Sequence, residues 1–259
     1  MPVVDANGAR LWYDEAGHGP AVVLLHGGLG DSELWKPVVP LLATRFRTIR
    51  TDLRFFGRSA GPAAPFSWQD DVVGVLEELG IGRAALVGLS LGGGIAVDVA
   101  LAAPERVWAV AAVAPSLSGH NGEVYSPEQL AAHAAAVADR DAEAVEEIGL
   151  RVWAPLGADE RIRRLWRATP DANPLPDGVR PRPPREPALP NLGRLAPPTL
   201  VVTVSHDPAV LREIGPLVAR EAPNARHVEL DSDHYVTLRE PELLSRVILD
   251  FLTEWSGAA

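Results

Sequence analysis

The chain has 259 residues, 47% of them hydrophobic, a formal net charge of −10 at pH 7 and no cysteine. The length suits one large α/β domain or two small ones, and the apolar content excludes a disordered chain. An acidic chain without a basic run argues against nucleic acid or an anionic membrane surface as partner, and the absence of cysteine excludes disulfides, thiolate metal sites and cysteine nucleophiles.

Met1-Pro2-Val3-Val4-Asp5 has neither a basic nor an apolar leader region, so no signal peptide is expected. No apolar run reaches membrane-spanning length, and a cytoplasmic location is the default expectation. Val3 to Asp5 and Ala9 to Glu15 read as two strands joined by Asn7-Gly8, a two-residue hairpin signal. Ala21 to Leu25 is a continuous apolar run, as a strand buried on both faces requires. It ends in His26-Gly27-Gly28-Leu29-Gly30. Asp31 or Ser32 is placed to cap a helix reaching about Thr44. Phe46 to Thr51 is the next strand, ending in Asp52-Leu53-Arg54-Phe55-Phe56-Gly57-Arg58-Ser59. Ser67 caps a helix through Leu79, stopped by Gly80.

Ala84 to Val87 is a short buried strand, and a helix-compatible run from Ile95 to Ala103 stops at Pro104. Between them stands Gly88-x-Ser90-x-Gly92. A strand that turns into a helix so abruptly forces its bend residue into a strained conformation and pushes that side chain out of the sheet. The flanking glycines permit the close approach. Val107 to Val113 is a further strand, followed by the Pro115 to His120 loop. Strands alternating with helices imply a parallel, twisted sheet, whose ligands sit at the carboxyl ends of the strands.

The alternation breaks between Leu117 and Pro198, so the chain divides into core residues 1–116, an insertion over 117–198 and core residues 199–259. Ser126-Pro127-Glu128-Gln129 opens a helix with a capping box and Pro in first position. Helical stretches follow near Ala142 to Trp153 and Asp159 to Ala168. Pro170, Pro174, Pro176, Pro181, Pro183, Pro184, Pro187 and Pro190 then make an extended return that cannot be regular helix or central strand. The insertion reads as a helical lid or as a flexible surface excursion. As a lid it brings Trp153 and Trp166 to the pocket. Thr199 to Val204 resumes the sheet, a helix runs to about Glu221, Ala225 to Leu230 is the last strand, and Glu240 to Trp255 is an amphipathic closing helix.

A serine hydroxyl needs a base, and the base needs a partner that holds its tautomer. His234 falls just past the last strand and Asp207 just past the one before. The order Ser90, Asp207, His234 is that of α/β-hydrolases. Asp231 and Asp233 are the rival acids, though chain neighbours of a histidine rarely face it. The backbone N–H groups of Leu91 and Gly28 are the candidate oxyanion donors. A phosphate loop is discounted because no Lys-Ser/Thr pair follows the glycines. His206 is assigned to structure or to the rim.

With these residues in place, the chain resembles the α/β-hydrolase superfamily over nearly its whole length. The resemblance rests on Leu25-His26-Gly27-Gly28, Asp52 to Ser59, Gly88 to Gly93, Asp207 in a His-Asp-Pro turn, and Asp233-His234. It implies a mostly parallel, eight-stranded twisted sheet flanked by helices, with a helical lid. Within the superfamily the chain is similar to the 3-oxoadipate enol-lactonase, carboxylesterase and cofactor-free haloperoxidase group. That likeness implies a serine hydrolase of small esters or lactones, needing no metal or organic cofactor. C–C bond hydrolysis, peracid formation, acyl transfer and non-catalytic binding of a small molecule are the alternatives. Phe55 stands where the family usually has glycine, and Val204-Ser205 replace its small-acidic pair. Phe55, His120, Trp153 and Trp166 are the candidate pocket residues. The expected partner is a small-molecule substrate, and a homo-oligomer is compatible with the sequence.

Overall fold

The computed structural model describes residues 2–169 and 179–258, so the expectations for Pro170, Pro174 and Pro176 lie outside the described residues. Eight strands run in chain order: β1 (Val3–Ala6), β2 (Ala9–Ala16), β3 (Ala21–Leu25), β4 (Arg47–Thr51), β5 (Ala84–Leu89), β6 (Val107–Val113), β7 (Thr199–Val204) and β8 (Ala225–Leu230). They form one sheet in the order β1-β2-β4-β3-β5-β6-β7-β8. β2 is antiparallel to both its neighbours, and every pair from β4 to β8 is parallel. After β3 the chain steps out to β4, then returns to the other side of β3 as β5. That reversal opens a crevice at the carboxyl ends of β3 and β5, where ligands of open α/β sheets bind.

The helices are α1 (Val39–Leu42), α2 (Trp68–Glu78), α3 (Leu91–Ala102), α4 (Pro127–Ala138), α5 (Ala142–Trp153), α6 (Glu160–Arg167), α7 (Ala209–Arg212), α8 (Ile214–Glu221), α9 (Val236–Arg239) and α10 (Pro241–Trp255). The two-residue alternation of β3 sorts its side chains between two cores. Val22 and Leu24 join Trp35, Leu42, Trp108, Ile248 and Phe251 on the α1 and α10 side. Val23 and Leu25 join Leu76, Ile95, Val99, Ile214 and Val218 on the α2, α3 and α8 side. Burial on both faces explains the unbroken apolar run of the sequence. No helix of the described residues is long and apolar enough to cross a membrane.

Three expected elements take a different form. The helix expected from Asp31 or Ser32 to Thr44 is two pieces, a 3-10 turn at Ser32–Trp35 and the short α1. The Asp31 carboxylate accepts the Glu33 N–H and caps the turn. Pro37 lies between the two pieces and has no N–H to continue the turn, whereas Pro40 sits in the first turn of α1, where a missing N–H is tolerated. α3 begins at Leu91 rather than Ile95, taking in Gly92 to Gly94. These glycines are poor helix formers, but the contacts below leave no room for a side chain, so packing overrides propensity. The helix expected to end near Glu221 breaks at Glu213 into α7 and α8.

α4, α5 and α6 lie between β6 and β7 in the chain, and the capping box of α4 forms as expected. The described part of the proline-rich return is fastened at two places. Pro181 bridges Phe66, and the Arg182 N–H donates to the Phe66 carbonyl at 2.6 Å. Ser118 receives the Ala188 N–H on its Oγ (2.6 Å) and the Leu189 N–H on its carbonyl (3.0 Å). The same hydroxyl donates to Asp98 of α3 at 2.5 Å, and Gln69 of α2 donates to the other oxygen of Asp98 at 3.0 Å. Burial raises the pKa of the Asp98 carboxyl, with Ser118 and Gln69 opposing the shift.

Candidate active site

Ser90 joins β5 to α3 with φ 53° and ψ −115°, outside the regions open to most L-residues. The flanking glycines account for the bend. A Cβ on Gly88 would stand 2.1 Å from the Gly92 carbonyl oxygen, and one on Gly92 would stand 2.3 Å from the Leu25 carbonyl oxygen. Only glycine allows strand and helix to come this close. The strained residue is held at both backbone groups. Its N–H donates to the Val113 carbonyl at 2.8 Å, and its own carbonyl accepts the N–H groups of Gly94 (3.0 Å) and Ser116 (3.1 Å).

The loop after β3 lies directly against Ser90. A Cβ on Gly27 would be 3.1 Å from the Cβ of Ser90, while one on Gly28 would meet nothing within 4 Å. Leu91, as the first residue of α3, has an N–H without an intrahelical acceptor. The close approach of Gly92 to Leu25 and His26 brings the start of α3 beside this loop. His26 braces it from below. Its Nδ1 lies 2.8 Å from the Gly27 carbonyl, and its Nε2 accepts the Leu53 N–H at 2.9 Å. Acceptance at Nε2 puts the proton on Nδ1, which donates to Gly27. Burial lowers the pKa of this fully enclosed imidazole. Asp52 closes the next loop by accepting Ser32 N–H (3.0 Å), Arg58 N–H (2.9 Å) and Arg58 Nε (2.7 Å). Burial opposes ionisation of Asp52, but the Arg58 and Ser32 bonds outweigh it and hold the carboxyl below its ordinary range.

His234 and Asp207 meet across the ends of β8 and β7. His234 Nδ1 lies 2.9 Å and 3.0 Å from the two Asp207 oxygens, and both residues are almost fully buried. A carboxylate can only accept here, so Nδ1 donates, leaving Nε2 of neutral His234 with a lone pair. Nε2 is buried and has no hydrogen-bond partner among the described residues. Asp231 is bound instead to Ser205 and His206, and Asp233 to Arg239, Tyr235 and Leu156. Tyr235, next to His234, donates its hydroxyl to the Leu29 carbonyl at 3.4 Å. The glycine loop that touches Ser90 through Gly27 therefore also touches the His234 segment.

The expected pocket residues divide. Trp153, at the end of α5, packs on the His234 ring with centroids 4.5 Å apart and planes tilted 54°. Its Nε1 donates to the Tyr125 hydroxyl at 3.0 Å. Phe55 is half-buried with φ 69° and sets its ring edge-on to Phe66 at 5.2 Å. The turn thus keeps the left-handed backbone that suits glycine, with a phenyl ring attached. His120 is half-buried in the loop after β6. Trp166 belongs to the apolar core with Leu150, Ile162 and Leu165, and a Cβ on Gly149 would overlap its indole at 2.0 Å. The cavity of about 630 Å³ that Trp166 borders contains none of Ser90, Asp207 or His234. The position of Trp166 is therefore that of a packing residue, held by the small residue opposite. Three features had no sequence signal: the His26 brace, the Tyr125–Trp153 bond and the Asp233–Arg239 pair. Each depends on a fold contact between residue types that are common on any surface.

A family model described as the alpha/beta hydrolase fold matches residues 20–241. The chain is 32% identical over 202 residues to an epoxide hydrolase of Caballeronia sordidicola, an alignment covering 67% of this chain and 60% of the relative. It is 41% identical over 109 residues to a 2-hydroxymuconate semialdehyde hydrolase of Pseudomonas sp. (strain CF600), covering 39% of this chain and 38% of that one. The matches thus span less than two thirds of these relatives' lengths. The enol-lactonase from Burkholderia xenovorans LB400 superposes with a TM-score of 0.77 at 26% identity, covering 97% of this chain and all of that one.

Proposed function

Starting from the fact that the chain belongs to the α/β-hydrolase fold family, we propose that it hydrolyses a carboxylic ester or lactone of a small molecule through Ser90, His234 and Asp207. The observation that carries this reading is the His234–Asp207 pair, which leaves Nε2 without a hydrogen-bond partner among the described residues, at the same strand-end edge of the sheet that bears the strained Ser90. Ser90 Oγ attacks the carbonyl carbon and passes its proton to His234 Nε2. Asp207 accepts the Nδ1–H and stabilises the imidazolium. The Gly28 and Leu91 N–H groups hold the oxyanion, each worth roughly 10²–10³ in rate. Collapse expels the alkoxide, which takes the proton from Nε2. Water, deprotonated by the same nitrogen, then releases the acid and restores Ser90. Likeness to an enol-lactonase supports a lactone or ester. Likeness to a semialdehyde hydrolase supports C–C bond hydrolysis on the same groups as the second reading.

A fluorophosphonate probe should label the wild type and leave Ser90→Ala unlabelled. Asp207→Asn should stay folded and lose about 10⁴ in kcat, because an amide no longer enforces the Nδ1–H tautomer. A panel of esters, lactones and vinylogous diketones separates the two readings. Equal labelling of wild type and Ser90→Ala would remove the mechanism. The helices α4 to α6 are the proposed lid, and Trp153 is the lid residue assigned to the pocket.

A further inference from the structure

We propose that Asp233 and Arg239 form a latch that holds the end of α5 down on the His234 segment and so keeps Trp153 against the His234 ring. The latch rests on the reading that His234 is the base. Asp233 is fully buried, immediately before His234 in the chain. Its Oδ1 accepts Arg239 Nε at 2.6 Å and the Tyr235 N–H at 3.1 Å. Its Oδ2 accepts the Leu156 N–H at 3.3 Å. Arg239 Nη2 donates to the Gly157 carbonyl. Two residues of the β8–α10 connection thus grip two successive residues of the turn that follows α5. That turn is itself closed by Gly157 N–H to the Ala154 carbonyl at 2.9 Å, and the chain leaves it through Gly157 at φ +103°, a left-handed value open to glycine.

The residue just before the gripped turn is Trp153, whose ring lies 4.5 Å from that of His234. An aromatic ring within about 6 Å of a cation favours the charged state. In the proposed reaction the imidazole gains positive charge when it takes the proton from Ser90. The contact therefore favours the transition state over the resting enzyme, and the latch matters because it maintains that contact. Asp233 and Arg239 are positioning residues, acting through Trp153.

The test is a double-mutant cycle with Arg239→Leu, Trp153→Leu and the double variant. Active sites are titrated with a fluorophosphonate, and steady-state hydrolysis of a p-nitrophenyl ester is measured per titrated site. Each single variant should lose about tenfold in kcat with KM unchanged, the size of a desolvated cation–π contact. The double variant should lose no more than Trp153→Leu alone, since both changes remove one contact. Losses that multiply, or an Arg239→Leu variant that loses titratable sites while kcat per site is kept, would overturn the latch. If Arg239→Leu does not fold, Arg239→Lys replaces it. Lysine can pair with Asp233 but cannot reach the Gly157 carbonyl as well, so about a threefold loss is expected, absent in the Trp153→Leu background. A wild type that takes no label, with ester hydrolysis retained in Ser90→Ala, would instead overturn the serine hydrolase reading.

Discussion

Replacing Ser90 by glycine and by alanine separates the chemistry of the bend from its backbone strain. Both variants lack the hydroxyl, so both should be inactive and unlabelled. They differ by one Cβ, at a residue with φ 53° and ψ −115°. A non-glycine residue held in such a region costs about 1–3 kcal/mol. Glycine escapes that cost but enlarges the entropy of the unfolded chain, by about 0.4–1 kcal/mol. The balance favours Ser90→Gly over Ser90→Ala by about 1 kcal/mol. In a chain of this size that corresponds to a melting temperature about 2–4 °C higher. The assay is differential scanning calorimetry of the two inactive variants in one buffer. A Ser90→Gly variant that melts at or below Ser90→Ala would refute the claim that the bend stores strain.

Arg54 and Asp71 form a buried ion pair, with Nη2–Oδ1 2.6 Å and Nε–Oδ2 2.8 Å, both side chains 3% exposed. Arg54→Met leaves the carboxylate unpaired and should cost about 3–5 kcal/mol, read as a lower urea midpoint. Burial already raises the pKa of Asp71 despite Arg54. A folded pKa above the unfolded one means that lowering the pH neutralises the penalty, so the deficit against wild type should shrink between about pH 8 and about pH 5. His26 has the opposite sign. Burial lowers its pKa, so the unfolded chain binds the extra proton, and its share of stability is lost as pH falls below about 6.5. Urea midpoints at about pH 7.5 and about pH 5.5 should differ less in His26→Gln than in wild type.

The sheet was legible because β3, β5 and β6 are apolar on both faces, and its helices because Ser67, Ser126 and Gly80 mark their ends. Ser90, Asp207 and His234 could be singled out as candidates because each stands just past a strand end, where parallel strands deliver residues to a common rim, and the structure pairs Asp207 with His234. Trp153 and Trp166 were not separable in sequence. Both are tryptophans on short helices, and only the placement of Gly149 against Trp166 sends that indole into the core while Trp153 reaches His234. The helix beginning at Leu91 was misjudged because glycine propensity points away from helix, whereas the crowding at Leu25 and His26 demands it. The partner of Asp233 was hidden for a simpler reason. An acidic residue beside a histidine invites a chemical reading, and its arginine partner six residues on looks like an ordinary surface charge.

The fastening of the return segment through Ser118 and Phe66 bears on how this scaffold could be re-engineered. Ser118 is tied at once to Asp98 of the elbow helix and to Ala188 and Leu189 of the return. A replacement for the insertion would preserve α3, which follows Ser90, only if its seams fell inside these ties, after Ser118 and before Pro181. Seams placed at the strand ends themselves, at Val113 and Thr199, would cut away the struts that hold that helix from outside.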